Sequence, residues 1–220
     1  MCTNKRKELI EKYKDIEKKA KTEILDKLKA KNMLYVKDNI QKDSNMCIIL
    51  SCPGQEELMA DKVCAGETGE NLEKILEILR KNDKYNQLKP SKFNKEKEKR
   101  YSYTIINSVQ DVYFRGYNGA EADEDEVIKN ENVLRIKEEL REINIKYFIA
   151  CGNNAKLLYE QIQNEFNDAK VSFVSHIGWV GLRNQYKNDN RQLEGIKDAK
   201  KRDKKRLELV ASEIMKQLEL

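Results

Sequence analysis

The chain holds a single histidine, His176. It follows a β-type run, Val171-Ser172-Phe173-Val174-Ser175, and opens a Gly-containing stretch from His176 to Asn184. An imidazole at such a strand end can stabilise an oxyanion on a substrate. Three other apolar runs end in polar turns. Cys47-Ile48-Ile49-Leu50 leads into Ser51-Cys52-Pro53-Gly54-Gln55, where a Pro-Gly turn can aim backbone N–H groups at an anion or carbonyl. Thr104-Ile105-Ile106 ends in Asn107, whose amide offers one donor and one acceptor to a planar base edge. Tyr147-Phe148-Ile149-Ala150 ends in Cys151-Gly152-Asn153-Asn154. A further pair of glycines, Gly66 and Gly69, precedes a helical pattern and suits close approach by a phosphate or sugar.

These groups can act together only if the strands run parallel. Their C-terminal ends then share one edge, the place where open α/β sheets bind ligands. The periodicity supports that arrangement. Apolar residues at three- and four-residue steps predict helices over about 4–32, 70–80, 124–142, 154–167 and 190–219. Strands are predicted over 32–36, 46–50, 103–106, 146–150 and 171–175. Long loops are expected over 51–70 and 82–100. The expected fold is a single α/β domain, a three-layer αβα sandwich around a mostly parallel sheet of about four strands. Its core covers about 46–185, and long charged helices extend from both ends.

With 220 residues the chain is long enough for one domain with a real core. Charged residues make up 37 %, and the net charge of +5 is unevenly spread. The stretch from Lys84 to Arg100 carries seven basic and two acidic residues, 197–206 is again basic, and Glu121 to Glu126 is acidic. Basic segments of this kind can track phosphates, or form a solvated lysine-rich surface. The five cysteines form no CxxC pair, which suits reduced thiols in a cytoplasmic protein. No apolar run approaches the roughly 20 residues needed to span a bilayer, so no membrane partner is expected.

In their order and spacing, the stretches 50–54, 63–69, 104–108, 150–155 and 176–184 resemble the motifs of the uracil-DNA glycosylase superfamily, most closely its bacterial and archaeal branch. The resemblance implies that a base of DNA, or a nucleotide, is flipped into a pocket, and that water replaces it at the sugar C1′. By position, Asn107 would read the base and His176 would stabilise the leaving group. Ser51, Cys52, Pro53, Gly54 and Gln55 would line the pocket, and Gly66 and Gly69 would approach the DNA. Leu182 or Trp179 would fill the vacated stack, with Arg183 beside them on the DNA.

The chain departs from that pattern. The family's stacking Phe falls at Cys64, which has no π-face. Its water-activating position falls at Ser51 or Cys52, and neither is a base at neutral pH without help. The iron–sulfur cysteines are missing, with Asp111 where one is expected, so no cofactor or metal is expected. Three functions therefore stand open. They are excision of a modified or deaminated base, binding of nucleic acid or a nucleotide without catalysis, and an α/β module that uses its terminal helices to bind a small molecule or another protein.

Overall fold

A computed structural model describes residues 19, 26, 34–82, 88, 99–114, 119–187 and 191–219. Apart from Lys19 and Asp26, the expected N-terminal helix over 4–32 lies outside the described residues, as does most of the basic loop over 82–100. Four strands, β1 (Met46–Leu50), β2 (Thr104–Asn107), β3 (Tyr147–Cys151) and β4 (Lys170–Val174), form one sheet in the order β2-β1-β3-β4. All three pairings are parallel. Strand β1 is buried along its whole length, as expected of a continuous apolar run covered on both faces.

Alternation along the strands feeds two apolar layers. Ile48, Leu50, Ile105, Ile149 and Val174 pack toward one side. They meet Leu72, Ile75, Leu76 and Leu79 of α2 (Gly66–Arg80) and Leu207, Val210 and Ile214 of the C-terminal helix (Ala199–Gln217). Cys47, Ile49, Ile106, Phe148 and Ala150 face the opposite layer. That layer holds α3 (Glu124–Val127), α4 (Asn130–Leu140) and α5 (Asn153–Ile162). Two short helices, α1 (Gln55–Ala60) and α6 (Trp179–Gln185), follow β1 and β4, so the C-terminal helix is α7. The result is a three-layer αβα sandwich. Among the described residues no helix is long and apolar enough to cross a membrane.

Several boundaries differ from the periodicity. The predicted loop over 51–70 contains α1, and α2 begins at Gly66 rather than at Thr68 or Glu70. The predicted helix over 124–142 is split after Val127, because the Asn132 amide donates to Val127 O at 2.8 Å and to Ser108 O at 2.7 Å. Of the predicted strand over 32–36, the described part makes only a single bridge, Tyr35 to Asp111. Nearby, Asn39 exchanges backbone hydrogen bonds with Ile105 (2.8 and 2.9 Å) and covers the outer edge of β2. The predicted helix over 190–219 is a short 3-10 turn, Arg191–Leu193, followed by α7, which is capped by the Asp198 carboxylate on Lys201 N–H.

Gly69 marks how tightly α2 meets the loop before it. A Cβ built there would lie 1.8 Å from the Cys64 carbonyl oxygen. Gly69→Ala is expected to cost about 1–3 kcal/mol in urea unfolding, as overpacking does. A loss below about 0.5 kcal/mol, typical of a surface change, would show that the packing there yields freely.

Candidate functional site

The connection from β1 runs toward β2 and the connection from β3 runs toward β4. The chain therefore reverses direction between β1 and β3, and in open α/β sheets a ligand crevice forms at the C-terminal side of such a point. Ser51 to Gly54 leave on one side of it, Gly152 to Asn154 on the other. Asn107 ends β2 opposite Leu50, and His176 lies just beyond β4. Both sequence-predicted chemical groups thus sit on the same edge of the sheet. At a strand spacing of about 4.8 Å, their strands are roughly 14 Å apart.

The Asn107 side chain is fully buried, and among the described residues neither Oδ1 nor Nδ2 has a hydrogen-bond partner. An unpaired buried amide of this kind costs about 1–3 kcal/mol. Its backbone is firmly held. The Asp38 carboxylate accepts Asn107 N–H at 2.7 Å and also accepts from Arg135 Nη1 (2.5 Å) and Gln110 Nε2 (3.2 Å). Burial pushes the Asp38 carboxyl up from its ordinary range, and the Arg135 guanidinium opposes that shift.

His176 is half-buried and framed by glycine backbone. A Cβ at Gly178 would stand 3.0 Å from its ring, one at Gly181 2.1 Å from its carbonyl oxygen, and one at Gly152 3.6 Å from its Cβ. Gly178 N–H donates to Nδ1 at 3.1 Å, which fixes Nδ1 as an acceptor and leaves the proton on Nε2. Burial lowers the pKa from 6.5, against the opposing charge of Glu121. The ring is therefore neutral at neutral pH and presents an N–H donor.

Helix α2 braces the His176 loop at two points. Asn71 Nδ2 donates to Ile177 O at 2.9 Å, and Trp179 N–H donates to Glu67 Oε1 at 3.1 Å. At the β1 loop, the Glu57 carboxylate accepts Gly54 N–H at 2.7 Å and also Cys64 N–H. Burial pushes this carboxyl up to about 7, and the two backbone N–H groups pull the other way.

The remaining expected site residues divide. Ser51 and Pro53 are buried at the crevice, Cys52 and Gly54 are half-buried, and Gln55 is exposed. Gly54 N–H is already taken by Glu57, so it does not point at a ligand anion. Burial pushes the Cys52 thiol up to about 11, so it is no base at neutral pH. The Cys64 side chain is buried in the α2 layer, and its backbone is left-handed at φ 56°. Gly66 and Gly69 make their close approaches to the protein's own Glu56 and Cys64, not outward to a phosphate. Leu182 is fully buried in the core and therefore does not protrude as a wedge. Trp179 is half-buried, and Arg183 lies over its ring at 5.6 Å.

Three residues at this edge escape sequence reasoning. Asn71 Oδ1 is a second buried amide oxygen at this edge with no partner among the described residues. Glu121 is the carboxylate whose charge reaches both Cys52 and His176. Val180, at 70 % exposure, is the apolar side chain that the His176 loop turns outward. The only signals for them are an Asn two residues after Gly69, a place in the acidic run from Glu121 to Glu126, and a valine beside a tryptophan. Among the described residues no group of three or more His, Cys, Asp or Glu side chains converges as a metal site. No protein-family model matches the chain, and a comparison with curated proteins finds no match.

Two measurements check this geometry. The ¹⁵N shifts of the only histidine should show a neutral Nε2–H tautomer at pH 6.5; an imidazolium pattern there would overturn the assignment. Glu57 binds its proton more tightly in the folded chain (about 7) than at its ordinary 4.5. Its stabilising contribution is therefore full below pH 4.5 and is lost as the pH rises to about 7. Across that window wild type should lose up to about 3 kcal/mol relative to Glu57→Gln. Parallel stability curves would contradict the shift.

Proposed function

We propose that this protein binds a base flipped out of DNA in the crevice between β1 and β3 and hydrolyses its N-glycosidic bond. One observation carries the reading: Asn107 holds a fully buried amide at the C-terminal edge of the sheet, with donor and acceptor both unpaired among the described residues. A planar base edge supplies the complementary acceptor and donor. A buried polar group left unpaired calls for a partner from outside the fold, such as water or a ligand. The resemblance of the five motifs to the uracil-DNA glycosylase superfamily supports the same reading.

In this scheme the glycosidic bond breaks with its electron pair going to the base. The Nε2–H of neutral His176 donates a hydrogen bond to the oxygen on which that charge develops. Neutral imidazole serves as an electrophile in this way without carrying a charge of its own. Water adds its oxygen to C1′, and its proton leaves to a carboxylate or to solvent. With Ser51 and a protonated Cys52 in the crevice, the water needs only weak assistance if the base departs first. We assign this role to Glu121, whose charge reaches both Cys52 and His176. Val180 replaces Leu182 and Trp179 as the residue that enters the vacated stack, since it is the exposed one.

The test is release of bases from single- and double-stranded oligonucleotides that each carry one deaminated or modified base. It is scored by alkaline cleavage at abasic sites. Asn107→Ala and His176→Ala should each lower the rate by about a hundredfold or more, the range for loss of one charge-stabilising donor. If no substrate in a broad panel is cleaved, excision is excluded. Asn107-dependent binding of an abasic-flanked base without cleavage would leave the crevice as a base-binding site only.

A further inference from the structure

Two clefts adjoin on the face made by α2, α6 and α7, outside the sheet-edge crevice. The first, of about 440 Å³, has Ile78 and Leu207 among its lining and Trp179 as a wall. Lys74, Lys81, Lys200 and Lys204 surround it, together with Glu77 and Asp203. The second, also about 440 Å³, is lined by Arg183, Lys187, Arg202 and Arg206 and shares Asp203 with the first. That shared carboxylate is occupied from within: Arg183 Nη2 lies 3.0 Å from Oδ2 and Arg206 Nη1 2.7 Å from Oδ1. Arg206 is buried and also donates to Tyr186 O at 2.9 Å, so the surplus of cations around this partly apolar, partly aromatic depression rests on the lysines and Arg202.

We propose that this double cleft binds single-stranded nucleic acid, with one unpaired base against Trp179 and the flanking phosphates on the lysine and arginine rims. Each cleft lies within the size range of small-ligand sites, and an aromatic wall with a basic rim is the pattern that holds unpaired bases. Asp203 lines both clefts, so the two lie side by side. Together they offer cations to more phosphates than one mononucleotide carries. Trp179 stands three residues past His176, so a strand lying here runs directly to the His176 loop. The proposal rests on the nucleic-acid reading above only for that last placement; stacking and charge carry the rest.

Trp179 is the only tryptophan, so its fluorescence reports this cleft alone. The full chain is titrated with a short oligothymidylate, with thymidine 5′-monophosphate and with poly-glutamate, over a range of salt. The oligonucleotide should quench the emission at concentrations at least about tenfold below those the mononucleotide needs. Lys200→Ala combined with Lys204→Ala changes two exposed side chains, which keeps folding intact. It should weaken oligonucleotide binding by about tenfold and reduce the slope of log K against log salt by about 1.4, since each phosphate that is no longer neutralised removes about 0.7. An unchanged affinity and slope in that variant would overturn the proposal. So would equal quenching by poly-glutamate, or mononucleotide binding as tight as the strand's. Asn107→Ala separates the two readings, because it should abolish excision yet leave the quench intact. Failure of excision with the quench retained sinks only the catalytic reading.

Discussion

Parallel pairing of β1 with both β2 and β3 leaves little freedom in where the connecting loops emerge. Ile48 pairs with Ile105 on one side and with Ile149 on the other, and Leu50 pairs with Asn107. Every strand then delivers its following residues to one edge, and the reversal of direction between β1 and β3 parts those loops into a crevice. A register slip of one residue in β2 would send the Asn107 side chain to the opposite layer, because strand side chains alternate faces. The position of the unpaired amide is thus a direct consequence of backbone pairing.

Buried polar groups hold what the strands deliver. The Asp38 carboxylate takes Asn107 N–H where the backbone partner Asn39 has already turned to Ile105, and Arg135 balances its charge. Glu57 ties Gly54 to Cys64, and Asn71 ties α2 to the His176 loop. Each is a side chain standing in for a backbone group in a loop that has no ladder of its own. Such loops stay ordered only when their N–H and C=O groups find partners, which is why these polar residues lie beneath the crevice. Glycine completes the scaffold around His176, where Gly178 and Gly181 let the backbone approach the imidazole and its carbonyl closely.

Much of this was legible in the residues. The apolar runs ending in Ser51, Asn107, Gly152 and His176 marked four strands whose ends meet on one edge, and the helical periodicities marked both covering layers. Other features were not. Gly66 and Gly69 looked like phosphate-approach glycines, yet Glu56 and the Cys64 carbonyl occupy the space their missing side chains leave. Leu182 looked available as a wedge in a polar loop, but the loop closes into α6 and turns that leucine into the core, leaving Val180 outside. The predicted helix over 124–142 was one pattern by periodicity and two helices in space. Asn132 reaches a carbonyl on the β2 loop that no local rule anticipates.

Residue order alone settled the αβα layering, the strand ends and the polar types placed there, because hydrophobic spacing is a local property that survives any tertiary arrangement. Only the folded chain decided which polar groups stay unpaired. Whether an amide such as Asn107 finds a partner depends on residues far apart in sequence that arrive beside it, and so do the neutral state of His176, the bracing by Glu57 and Asn71, and the charged clefts along α7. Those are sums over neighbours in space, and spacing along the chain does not fix them.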